Sequence, residues 1–184
     1  MTLDAGGSSD PDGDTLSYEW RNAANEVVGT TAVVNLALPL GTHVFTVRVA
    51  DSCDSDTDSV SITVEDTTAP VLTVSLSPAE LHPPNHKMFE VTTTIDATDG
   101  CDSSPEVVLL SITSNEPDNG DGDGNTDGDI AGAELGTDDR AFFLRAERSG
   151  QGSGRVYTVT YVATDASGNS TASTAEVRVP KGKN

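Results

Sequence analysis

GTHVFTVRVADS occupies residues 41–52 and GRVYTVTYVATDAS residues 154–167. In the first, Phe45, Val47 and Val49 alternate with Thr46 and Arg48, and residues 155–163 of the second alternate in the same way. A period of two marks a strand with one buried face. Each run is followed by one more alternating stretch, so each reads as the closing hairpin of a β-sandwich. The weak repeat between them predicts two such domains.

The pattern recurs outward from these runs. Val60, Ile62 and Val64 alternate, as do Leu72, Val74 and Leu76, then Phe89, Val91, Thr93 and Ile95, and the stretches 106–114, 141–147 and 172–179. A 3.6-residue period is nowhere sustained for three turns. Clusters of Gly, Pro, Asn and Asp separate the runs at roughly the 8–12-residue spacing of sandwich folds. The expected fold is all-β, two Ig-like antiparallel β-sandwiches in tandem, over residues 1–66 and 71–184. Residues 67–70 form the linker, because Pro70 cannot donate to a sheet ladder and holds Ala69 extended.

The 184 residues carry 30 acidic against 10 basic side chains, a formal charge of -20. That sign repels phosphate backbones and anionic membrane surfaces, so nucleic acid is excluded as a partner. Of the acids, 20 are Asp and 10 are Glu, and Asp favours turns and caps where Glu tolerates helix interiors. Apolar runs fall far short of the eighteen or so residues of a membrane helix, which excludes helical insertion. The opening MTLDAGGSSD has neither a basic nor an apolar leader region, so no export signal is expected. G-x-S-x-G, H-E-x-x-H and a Gly-rich loop opening a helix are all missing, and nothing singles out one pair of acids for catalysis. The reading is non-enzymatic.

LDAGGSSDPDGDTLSYEW, then LPLGTHVFTVRVADS and DSVSITVED, together resemble the PKD (polycystic kidney disease) domain of bacterial secreted proteins, with Asp-Pro-Asp-Gly-Asp ahead of a Tyr-x-Trp strand. Residues 3–66 are covered. The remainder, through DTTAP, LHPPNHKM, SNEP and RAERSGQGSGRVYTVTYVATDASGN, resembles the HYR-related Ig-like modules of bacterial extracellular proteins. The resemblance implies an extracellular, secreted or cell-surface module pair with a spacing, adhesive or filament-forming role. Its partners would be neighbouring domains of a larger surface protein, copies of itself, or a protein or polysaccharide ligand; the alternative is an accessory binding piece of a secreted hydrolase. PKD domains begin with a strand upstream of Thr2, so the resemblance also implies a first sandwich open at one edge. AEVRVPKGKN at the C-terminus is a candidate donor strand to fill it.

The densest chemical candidate is NGDGDGNTDGD, residues 119–129, with side-chain oxygens at Asn119, Asp121, Asp123, Asn125, Asp127 and Asp129. Oxygens at alternate positions on a Gly-rich turn suit Ca²⁺, which takes six to eight oxygen ligands, better than octahedral Mg²⁺. The spacing resembles calcium loops of the DxDGxxD kind, without the helices or final Glu of an EF-hand. DPDGD, with Asp10, Asp12 and Asp14, reads first as a plain turn and second as a further cation loop. A third set falls around the linker: Glu65, Asp66, Asp99, Asp102, Asp165 and Asn169. By analogy with cadherin-type junctions these would hold a cation; as ordinary Asx turns they would hold only amides.

His82 and His86 are too few for zinc and share a Pro-stiffened segment. Tyr18 and Trp20 lie on one strand face, as core or as a sugar-stacking platform. Arg145, Arg148 and Arg155 with Glu147 read as cross-strand ion pairs. Cys53 and Cys101 sit in similar contexts, DSCDSD and DGCDSS, as a bridge or as free thiols.

Overall fold

The computed structural model describes residues 1–120 and 126–181. Among them there is no helix, and every strand pairing is antiparallel. The chain divides into two compact units, Met1–Asp66 and Thr67–Asn184.

In the first unit, β1 (Thr2–Asp4) pairs with β4 (Val33–Asn35), while β2 (Ser17–Asn22), β3 (Val27–Gly29), β5 (Gly41–Ala50) and β6 (Ser55–Val64) form a second sheet in the order β3-β2-β5-β6. Leu3 and Val34 from the small sheet pack with Trp20, Phe45 and Val47 from the large one. Trp20 is buried, and its Nε1 donates to the Thr31 carbonyl at 3.1 Å. It is therefore core rather than a stacking platform, as a buried indole with a satisfied N–H should be. The apolar face expected of β6 is covered only in part: Ile62 packs against the core, but Val60 is 39% exposed, because β6 is the last strand of its sheet and flanks an open groove.

The second unit stacks two sheets. One has the order β10-β11-β8-β7, from β7 (Val71–Ser77), β8 (Met88–Thr98), β10 (Ile130–Ala131) and β11 (Ala141–Arg145); the other runs β13-β12-β9, from β9 (Glu106–Ser114), β12 (Gly154–Thr164) and β13 (Ser170–Pro180). Between them lie Val91, Phe142 and Leu144 from the first sheet and Leu109, Tyr157, Val159, Tyr161, Val177 and Val179 from the second, all fully buried. The Tyr161 hydroxyl donates to the Asp139 carbonyl at 2.5 Å and shares a hydrogen bond with Thr93 Oγ1 at 3.0 Å. Residues 175–180 of the candidate donor run are thus no donor: β13 pairs along its whole length with β12, and withdrawing Val177 and Val179 would gut this core.

The arginines also differ from expectation. Instead of cross-strand surface pairs, Arg155 is fully buried with its guanidinium over the Tyr157 ring at 5.7 Å. Its Nη1 donates to Asp129 Oδ2, its Nη2 to the Pro117 carbonyl at 3.1 Å, and its Nε lies 3.5 Å from Glu116. Arg145 donates to the other Asp129 oxygen at 3.1 Å and to the carbonyls of Asp127 and Gly128. Asp118 accepts from the amides of Gly128 and Asp129, and fully buried Glu147 accepts from Thr126 Oγ1 and from His86 Nδ1. Two guanidiniums and four carboxylates thus clamp the chain on both sides of residues 119–126.

A buried pair is worth little against an apolar replacement, but breaking one leaves an uncompensated charge. Arg155→Ala should therefore lower the stability of the second unit by about 3–5 kcal/mol in chemical denaturation. Asp129→Asn in the same background should recover part of that loss, a coupling that a double-mutant cycle reads directly.

Candidate functional site

The strand trio β2-β5-β6 of the first unit has the same order and directions as β9-β12-β13 of the second. β5 and β12 both open on a glycine in the left-handed region, Gly41 at φ 119° and Gly154 at φ 114°. Both are followed at once by an aspartate, Asp51 or Asp165, that begins the hairpin turn. Asp51 Oδ1 accepts from the amides of Cys53 and Asp54 at 2.7 and 2.6 Å. Asp165 Oδ1 accepts from Ser167 and Asn169 at 2.9 and 2.8 Å, and its Oδ2 from Asn169 Nδ2 at 2.8 Å.

The loop that enters the first strand of each trio supplies a second such aspartate. Asp10 Oδ1 accepts from the amides of Asp12 and Asp14 at 2.8 and 3.0 Å. Asp99 Oδ1 accepts from Cys101 and Asp102, both at 2.8 Å. Asp102 ties the two turns of the second unit together, its Oδ2 accepting from the Ala166 amide at 2.9 Å. Each unit thus brings an entry-loop aspartate against a hairpin aspartate at the same end of the same trio.

Asp10, Asp14 and Asp51 each offer a carboxylate oxygen, all within 4.8 Å of one another, and oxygens of Asp99 and Asp165 lie within the same distance. Two Ca–O bonds of about 2.4 Å span that separation, so the donor sets fit a hard cation. Asp99 Oδ2 is buried and has no hydrogen-bond partner. An anionic oxygen in that position carries its desolvation cost uncompensated, and a cation is the chemistry that would satisfy it.

Of the sequence candidates, DPDGD is both a turn and a cluster, though Asp12 stands outside the cluster. Asp51, not foreseen, completes it; its signal was its place in the repeat, opposite Asp165. Glu65 and Asp66 close the first unit after β6. In 119–129, Asp121, Asp123 and Asn125 lie outside the described residues; Asn119 and Asp127 are exposed. Asp129 is corrected: both of its oxygens face guanidiniums, which leaves no lone pair directed at a cation. His86 is engaged by Glu147, and His82 lies 3.4 Å from Glu80. Cys53 and Cys101 are exposed and are not bridged to one another.

No family model matches the chain, and no curated protein sequence matches it. Among solved structures, the CbhA fibronectin(III)-like modules of Clostridium thermocellum are similar over 89% of this chain and 77% of that one, at 11% identity and a TM-score of 0.33.

The hairpin aspartates are tuned alike. Amides of Asp54 and Cys53 hold the Asp51 carboxyl below the ordinary Asp value of 3.8. Burial pushes Asp165 upward, but hydrogen bonds from Asn169, Ser167 and Gly168 outweigh it and hold that carboxyl low as well. A carboxyl with a depressed folded-state value stabilises the fold above its unfolded value, and the contribution disappears as pH falls through the folded value. Melting temperature should therefore be insensitive to these two groups near neutrality and drop as pH falls below about 4. Asp51→Asn, which keeps an acceptor oxygen without a titrating proton, should flatten the acid limb of the first unit's curve.

Proposed function

We propose that the chain is a pair of calcium-stabilised extracellular β-sandwich modules with a structural or adhesive role and no catalytic one, a PKD-like unit followed by an HYR-related unit on a bacterial surface or secreted protein. The observation that carries the reading is the twice-built carboxylate pair, with its buried, unpartnered Asp99 oxygen. The acids present oxygens from short turns whose backbone amides already fix their geometry. Such preorganised oxygens spend little entropy on capturing a cation, and the cation in turn cancels their mutual repulsion. A module of this kind gains stiffness outside the cell, where calcium is abundant, without needing a larger apolar core.

The test is calorimetric. Extracellular calcium modules bind at about 10⁻⁴–10⁻³ M, so a tenfold to hundredfold excess should raise stability by roughly 1.4–2.7 kcal/mol. Asp51→Asn should diminish the shift of the first unit, and Asp99→Asn that of the second. Superimposable melting curves in calcium and in chelator would sink the reading.

A further inference from the structure

The two sheets of the first unit close on one side only. Opposite, between β1 and β6, they part to leave a groove of about 930 Å³. Its floor is apolar, with Leu3, Trp20, Val47, Val49, Val60 and Ile62, and Asp4, Asp10, Asp51, Asp54, Asp56 and Asp58 also line it. The groove belongs entirely to this unit.

Its two edges are chemically different. On β6, the amides of Ser55, Thr57 and Ser59 donate to the carboxylates of Asp54, Asp56 and Asp58, at 2.7, 2.8 and 2.7 Å. Those outward donors are satisfied, so β6 resists a new strand partner. On β1 the Ala5 amide donates to the Ala32 carbonyl and the Leu36 amide to the Met1 carbonyl. Antiparallel pairs alternate, so the odd positions of β1 face β4 and the backbone groups of Thr2 and Asp4 face the other way. Among the described residues β1 therefore has no strand on its other edge, which lies beside an apolar floor, and across from it stands a row of carboxylates.

We propose that this groove docks an extended basic peptide segment, apolar at every second position, which adds to the free edge of β1. Its apolar side chains cover the Trp20–Val47 floor, its backbone extends the β1–β4 sheet to three strands, and its Lys or Arg side chains meet Asp56 and Asp58 across the groove. The charge selects the occupant: an acidic or neutral strand would leave the rim repulsion unrelieved. A second copy of this chain, at -20, would add to that repulsion.

Trp20 is the chain's only tryptophan, so its emission reports on the groove floor. The probe is a capped synthetic peptide of alternating valine and lysine, titrated onto the full chain in chelator, with the valine–glutamate peptide as control. Chelator leaves the groove at its most acidic and separates this test from the calcium reading. A saturable emission change with the lysine peptide and none with the glutamate peptide is expected. Asp56→Lys combined with Asp58→Lys should weaken binding roughly tenfold or more. Thr2→Pro removes one outward amide of β1 and keeps its backbone bonds to β4, losing besides only the bond from Thr2 Oγ1 to Asn35 Oδ1 at 2.7 Å. Thr2→Val loses that side-chain bond but keeps the amide, so the proline variant should weaken binding and the valine variant should not. Unchanged melting of each variant shows that the fold is kept; if the charge variant fails to fold, Thr2→Pro carries the test alone. Equal binding of both peptides, binding indifferent to Thr2→Pro, no emission change at millimolar peptide, or self-association through the groove without peptide would each overturn the proposal.

Discussion

Unbalanced negative charge is the constraint from which most of this architecture follows. With 30 acidic side chains against 10 basic ones, the chain cannot answer its carboxylates with ion pairs, so it spends backbone amides on them. Asp10, Asp51, Asp99 and Asp165 each occupy one oxygen in this way. Two of the arginines, Arg145 and Arg155, answer the buried Asp129 of the second unit, where an unpaired acid would be most costly. The carboxylates so held, Asp10 with Asp51 and Asp99 with Asp165, converge at the end of each strand trio, and only Asp165 has its second oxygen taken as well, by the Asn169 side-chain amide.

The long strands were legible because their burial is one-sided. Phe45 and Val47, or the run from Tyr157 to Ala163, alternate because one face meets a core, and a period of two survives in composition. The three-residue β1, β3 and β4 are too short to show a period. The misread face of β6 has another cause: alternation records which residues could be buried, whereas burial needs an opposing layer, and at Val60 the layer parts. The candidate site was half visible. Asx-forming aspartates announce themselves as DPDGD or DATDGCD, but their convergence depends on which loops a sheet order brings together. Asp51 was therefore missed, while Asp129, conspicuous in its acidic run, proved to be the anchor of two arginines.

The two units reach stability by different routes. The second has a continuous apolar interior with tyrosines whose hydroxyls are satisfied by Asp139, Thr93 and Arg145 groups. The first rests on a much smaller set around Trp20, and a small core leaves more of its stability to turns and caps. Loss of one Asx contact should matter more there, because fewer packed side chains share the load.

The Asp-Ser-Asp-Thr-Asp-Ser run of β6 alternates for a reason unrelated to burial. Each even residue caps the amide of its odd successor, while the odd side chains carry no such duty. Sequence drift along this strand is thus filtered with the rhythm of an amphipathic strand, although nearly every side chain on it is in water. Even positions admit only short acceptors such as Asp or Asn; odd ones admit almost anything. Among descendants of this chain, a strict every-second-residue pattern here would be a record of amide capping, easily mistaken for the imprint of a hydrophobic core.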